Sequence, residues 1–251
     1  MAYVKKTPIK THVITYGDDI AEVVDRYSKP HRQDGDVIIV SSKVVSICQG
    51  RTVSFDDIKV GFWANLLWRF VSKPQYGIGA IGLPEKMQAA IDLVGLPRIL
   101  LAAAVAAVTR PFGVRGVFYK IAGHGVAEID GSRILTFEPL IRVVVYGPEN
   151  GDEVATAVRD LTGCETAIID AGDYGNVDVL GRSPGIDPGW VEENCLDNPL
   201  GQTLEQTPVG LMRKMEGEAP PDLDEERKRI RAEAIAELER QKRELEEKGE
   251  I

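Results

Sequence analysis

The stretch Asp34-Gly35-Asp36-Val37-Ile38-Ile39-Val40-Ser41-Ser42-Lys43 decides the fold. Asp34-Gly35 is a turn signal, and the β-branched run behind it has no polar alternation, so it reads as a strand covered on both faces. That strand delivers Ser41, Ser42 and Lys43 at its carboxyl end. Upstream, Asp19 with Glu22 three residues on is a capping-box arrangement, Ile20, Val23, Val24 and Tyr27 follow helical spacing, and Pro30 ends the helix. Further on, a helix capped at Asn150 or Asp152 and stopped by Gly163 leads into a second short buried strand, Thr166-Ala167-Ile168-Ile169-Asp170. Strands buried on two faces together with amphipathic helices predict an α+β (mixed α/β) fold with mixed sheets. Between the two strands, helical spacing appears over 62–70, 84–94 and 99–108, the last two broken at Gly95-Leu96-Pro97, and strand-like runs over 114–121, 126–129 and 140–146. After Asp170 the chain turns rich in Gly, Pro and Asn and reads as a long loop. The expected division is a body over 1–215, either one domain or two intertwined subdomains, and a linker with a charged helical tail over 216–251.

Composition bounds the function. With 251 residues, 43% of them hydrophobic and 27% charged, the chain can bury a core without disulfide staples. A formal charge of −9 argues against nucleic acid and anionic membranes as partners. From Glu216 onward there are 13 acidic and 8 basic residues, so the tail holds −5 and the body −4. Cys48, Cys164 and Cys195 show neither disulfide nor metal spacing, which fits a reducing cytoplasm. No apolar segment of signal type follows the N-terminus. The most apolar run, 99–108, is half of the roughly 20 residues a membrane span needs, so a buried helix is expected there.

The candidate sites each carry a plainer reading beside the functional one. Gly77-Ile78-Gly79-Ala80-Ile81-Gly82 is a literal G-x-G-x-x-G, but Ser72 to Tyr76 before it is not a buried strand and no acidic residue falls about 20 positions on, so a glycine-rich loop is the better reading. Ser41-Ser42-Lys43 suits phosphate oxygens at the crevice beyond strand ends, and equally suits a helix N-cap. Asp170 and Asp173, grouped at a strand end, suit Mg²⁺ or Mn²⁺, which prefer oxygen ligands, although Asp170-Ala171-Gly172-Asp173 is also turn composition. Asp130 is a third carboxylate, in an Asp-Gly pair that is first a hairpin signal. His124 can face a substrate or simply be solvated. Asn198, Gln202, Glu205 and Gln206 concentrate amides and a carboxylate that can read a substrate by hydrogen bonds. Cys48 reads as core.

Several of these motifs resemble one family. Thr7-Pro8-Ile9, Gly17-Asp18-Asp19, the stretch from Asp34 to Ser46, and Gln49-Gly50-Arg51 look like the opening of the coenzyme F420-0:L-glutamate ligases, and Ala167-Ile168-Ile169-Asp170 is similar to that family's metal-binding strand. The resemblance implies the fold of those γ-glutamyl ligases, with a charged C-terminal helix in addition. It implies a homodimer that uses GTP and a divalent Mg or Mn ion to add L-glutamate, through an acyl phosphate, to a cofactor-like carboxylate such as F420-0. Under it Pro8, Ile9, Ser41, Ser42 and Lys43 contact nucleotide, Asp170 holds metal, and Asp130 joins if the register is shifted. Gln49 stands where the family has glutamate. The second function class, a non-catalytic binding or assembly protein on the same scaffold, rests on such departures and on the tail, whose thin stripe of Ile230, Ala234, Leu238 and Leu245 leaves room for helix pairing.

Overall fold

The computed structural model describes residues 2–71, 81–114, 116–131, 142–172, 175–201 and 206–217, with single positions 229, 232, 236, 240 and 243 that are all helical and exposed. In chain order the elements are β1 (Ala2–Ile9), α1 (Ile20–Ser28), β2 (Val37–Ser41), α2 (Ser42–Cys48), β3 (Thr52–Ser54), α3 (Phe62–Leu67), α4 (Pro84–Val94), α5 (Leu96–Thr109), α6 (Val117–Ala122), α7 (His124–Ala127), β4 (Val143–Val145), α8 (Gly151–Thr162), β5 (Glu165–Ala171), β6 (Val177–Arg182), α9 (Pro188–Cys195) and β7 (Val209–Glu216). They group into two units: Met1–Arg51 with Pro148–Ala236, and Thr52–Gly147 with Glu237–Ile251.

The first unit is built on a five-stranded mixed sheet in the order β1-β7-β2-β5-β6. β2 and β5 pair in parallel, while β1 with β7, β7 with β2 and β5 with β6 pair antiparallel. So β1, β2 and β5 all point the same way. The apolar run of β2 is covered on both sides, as its composition demands. Ile38 and Val40 pack with Val24, Ala155 and Val158 under α1 and α8, and Ile39 packs with Val191, Cys195 and Leu200 on the opposite face. The Asp19 cap forms: its carboxylate accepts from Ala21 N–H at 2.8 Å and Glu22 N–H at 3.1 Å. Gly163 ends α8 in the left-handed region at φ 76°. Asn150 holds the N-cap position of that helix, its carbonyl accepting from Val154 N–H at 3.0 Å. Asn150 makes no side-chain cap bond, and Asp152 accepts instead from the Arg182 N–H at 2.8 Å.

The stretch after Asp170 holds β6 and α9 rather than a structureless loop. Its glycines serve packing, which hid the strand. A Cβ on Gly181 would collide with the Gly151 backbone, because the first turn of α8 lies directly on β6. Gly181→Ala should therefore cost about 2–3 kcal/mol, the penalty of an overpacked contact between rigid backbones. Chemical denaturation measures it, and a midpoint equal to wild type would contradict that close approach.

The second unit carries α3 to α7 and the two-stranded β3–β4 sheet around a core that includes Leu83, Met87, Ile99, Val126 and Val144. The strand-like runs expected over 114–121 and 126–129 overlap instead the helices α6, 117–122, and α7, 124–127. Gly116 at φ 76° and Gly123 at φ 106° bracket a segment too short for a self-sufficient helix, and α6 is held by packing Phe118, Tyr119 and Ile121 against this core. Tertiary burial here overrides the β propensity of Val, Phe and Tyr. Val143–Val145 is a strand as expected.

Candidate active site

The parallel direction of β1, β2 and β5 brings three separated sequence motifs to one edge of the first unit's sheet. Ile9 and Val40 both pair with Val209, so they lie in one row, and Ser41 pairs with Ile169 one step further along. Pro8 and Ile9, Ser41 to Lys43, and Asp170 therefore line the same end of the sheet. Three inter-strand steps separate β1 from β5, about 14 Å. Gln206 closes the row, its carbonyl accepting from Thr11 N–H at 3.0 Å, and the Pro208 carbonyl accepts from Ser41 N–H at 2.8 Å.

Ser41 sits at the N-cap of α2, yet its hydroxyl makes no cap bond. Ser42 is buried, and its carbonyl accepts from the Ser46 hydroxyl at 3.1 Å. Asp170 is exposed at the end of β5 and pairs across the ladder with Asp178, also exposed. Like charges set directly opposite repel unless something neutralises them. Asp178 was not singled out from the sequence, because the glycine-rich context masked the alternation of Val177-Asp178-Val179.

Beside the β1 end, Thr7, Pro8, Ile9, Lys10, Arg26, Tyr27, Pro30 and His31 line a cleft of about 310 Å³. Lys10 and Arg26 give it positive charge, and Tyr27 and the two prolines give it flat apolar walls. The segment leaving β1 is pinned by His12, whose ring nitrogens lie 3.0 Å from the Tyr27 hydroxyl and 3.2 Å from the Asp18 carboxylate. The Thr15 backbone N–H, with help from His12, holds the Asp18 carboxyl below its ordinary value. Cys48 is half-buried and not part of the core, and burial pushes its thiol up to about 11, which argues against a nucleophile.

The other candidates fall elsewhere. His124 and Asp130 belong to the second unit. His124 is exposed with Nδ1 3.1 Å from Glu128, and Asp130 makes an antiparallel bridge to Val145 with backbone bonds of 2.8 and 3.0 Å. Asn198 is buried in a left-handed turn, its carbonyl accepting from Gly201 N–H at 3.0 Å. Asp173, Gln202, Glu205, positions 77–80 of the glycine-rich run and the tail stripe of Ile230, Ala234, Leu238 and Leu245 lie outside the described residues. Gln49 has a reason for being an amide: it donates to the Glu149 carbonyl at 2.7 Å and accepts from the Glu149 N–H at 2.9 Å, which a carboxylate cannot do.

Among the described residues no three His, Cys, Asp or Glu side chains gather to hold a metal. The Asp170/Asp178 pair still fits Mg²⁺ or Mn²⁺, since such ions are commonly held by one or two carboxylates and complete their shell with water and substrate phosphate.

Hydroxyl, ammonium and carboxylate groups thus share one edge of a mixed sheet, and the family comparison gives the class of protein. The model for F420-0:gamma-glutamyl ligase matches residues 8–169, well over half of the chain. The chain belongs to that family, and with it to the ligases that form carbon–nitrogen bonds in coenzyme F420 biosynthesis. No curated protein matches it significantly. Among the described residues no single helix is long and apolar enough to cross a membrane.

Proposed function

We propose that the chain is a GTP- and divalent-metal-dependent ligase that adds L-glutamate to a cofactor-like carboxylate such as F420-0. The observation that carries this reading is the single sheet edge shared by Pro8-Ile9, Ser41-Ser42-Lys43 and Asp170. The span of about 14 Å across those strands suits a whole nucleoside triphosphate, with the nucleoside in the cleft beside Pro8, Ile9 and Tyr27 and the phosphates running toward Lys43. Lys43, Lys10 and Arg26 offset phosphate charge, and the Ser41 hydroxyl donates to phosphate oxygen. A divalent ion held by Asp170 and Asp178 would supply charge neutralisation at the transferring phosphoryl group.

The reaction is a two-step exchange. The carboxylate oxygen of the acceptor bonds to the γ-phosphorus as GDP leaves, and the glutamate nitrogen then bonds to the acyl carbon as phosphate leaves and the amine loses a proton. Positioning and electrostatic stabilisation account for most of the rate in such transfers. The family reading also has the chain act as a homodimer, which mass by light scattering checks.

The test is to incubate the full chain with F420-0, L-glutamate, GTP and Mn²⁺ and to follow products by mass spectrometry. A product heavier by one glutamyl residue, formed with GDP in equal amount, is expected. Metal-dependent GTP binding without any such product would make the chain a binding protein on a ligase scaffold.

A further inference from the structure

One wall of the cleft beside β1 is held from behind. Tyr27 lines that cleft and His12 does not. The two rings nevertheless stack, with centroids 5.6 Å apart and planes inclined by 29°. His12 therefore backs the Tyr27 ring from outside the cleft, and the opposite face of the ring is the one left for a ligand. Hydrogen bonds lock this stack at both ends. His12 Nε2 lies 3.2 Å from a carboxylate oxygen of Asp18. An ionised carboxylate can only accept, so Nε2 carries the proton. In the neutral ring Nδ1 is then the acceptor, and the Tyr27 hydroxyl, 3.0 Å away, donates to it. The same hydroxyl accepts from the His12 backbone N–H at 3.2 Å. Asp18 is fixed in its turn by Thr15, whose backbone N–H and hydroxyl donate to Oδ2 at 2.8 and 3.2 Å.

The chain from Thr15 through Asp18 and His12 to Tyr27 makes the orientation of one half-buried aromatic ring part of the fold. A ligand that uses such a ring meets it already set, and the cost of immobilising it is not charged to binding. The ring's chemistry says what it takes. A fixed aromatic face opposite proline suits a planar ring, and Lys10 and Arg26 in the same cleft suit a ligand that carries negative charge beside that ring. A nucleobase joined to phosphate has both parts.

We infer that Tyr27 is the stacking platform for the nucleobase and that His12, held by Asp18, is the positioning residue that keeps the platform in place. This rests on the ligase reading, which puts the nucleoside in this cleft. The test is calorimetric titration of the full chain, with Mn²⁺ present, by GTP and by inorganic tripolyphosphate, which has the charge but no base. Tyr27→Leu should weaken GTP by about tenfold or more, the scale of one base stacked on an aromatic ring. His12→Ala should weaken it by about fivefold, the scale of ordering one side chain on binding. Both variants should bind tripolyphosphate as wild type does. The His12 side chain is 37% exposed, so its removal should leave the thermal midpoint near wild type. Adding His12→Ala to Tyr27→Leu should cost nothing more, since a brace then has nothing to hold. In turnover, His12→Ala should raise KM for GTP and leave kcat unchanged. Wild-type GTP affinity in Tyr27→Leu, losses that add in the double variant, or equal weakening of tripolyphosphate overturns the inference and leaves the ligase reading standing. Absence of GTP binding by the wild type overturns both.

Discussion

Arg213→Ala is expected to lower the unfolding free energy by about 3–5 kcal/mol, the cost of leaving a buried charge without its partner. The Asp36 side chain is 1% exposed and receives both arms of the guanidinium, Nε to Oδ1 and Nη2 to Oδ2, each at 2.7 Å. The same Nη2 donates to the His31 carbonyl at 3.0 Å, so one side chain on β7 fixes the turn that launches β2. Without it, Asp36 retains the Gln33 N–H at 2.8 Å. Urea denaturation reads the loss directly, and a change below about 1 kcal/mol, the range of a surface pair, would show that the pair is not holding the sheet.

The pH dependence of that variant provides a sign test. Burial acts to raise the Asp36 carboxyl, but the Arg213 bond and the Gln33 N–H outweigh it and hold it below its ordinary 3.8. A carboxyl whose folded value is depressed contributes stability above the unfolded value and loses it as pH falls through the folded one. Wild type should therefore lose this contribution on acidification below 3.8. In Arg213→Ala burial prevails, the folded value rises, and the contribution of Asp36 should grow as the pH falls. Stability curves of the two proteins measured through the acid range should converge.

How much of this was legible in the sequence depends on what each segment packs against. The β2 run was readable because a strand covered on both faces needs unbroken apolar residues, and Val37 to Val40 supply them. The Asp19 cap was readable because it is made within four residues. Residues 117–122 were misread since their helix exists by virtue of its neighbours, and β6 was missed because Gly181 is there to admit α8 and not to break a strand. The site followed the same logic. Ser41 to Lys43 and Asp170 could be placed at strand ends from local pattern alone, but their convergence depends on β2 and β5 being parallel neighbours, which is a property of the whole sheet. Asp178 and the cleft residues Lys10 and Arg26 had no motif to announce them.

Asp170→Asn should lower kcat/KM for glutamylation by about 100-fold or more, the scale on which one preorganised electrostatic group contributes to a transferring phosphoryl centre. Asp170 is exposed, so its substitution should leave the thermal midpoint near wild type. Asp178→Asn should act in the same direction. Equal losses of stability and activity in Asp170→Asn would make the residue structural, and activity retained in both variants would move the metal away from this ladder.

The most direct measurement is calorimetric titration of GTP into the full chain with and without Mn²⁺, repeated on Asp170→Asn. The sheet-edge account predicts one nucleotide bound per wild-type chain only when metal is present, and loss of that metal-dependent binding in the folded variant. Equal affinity in wild type and variant, or GTP binding indifferent to metal, would contradict it.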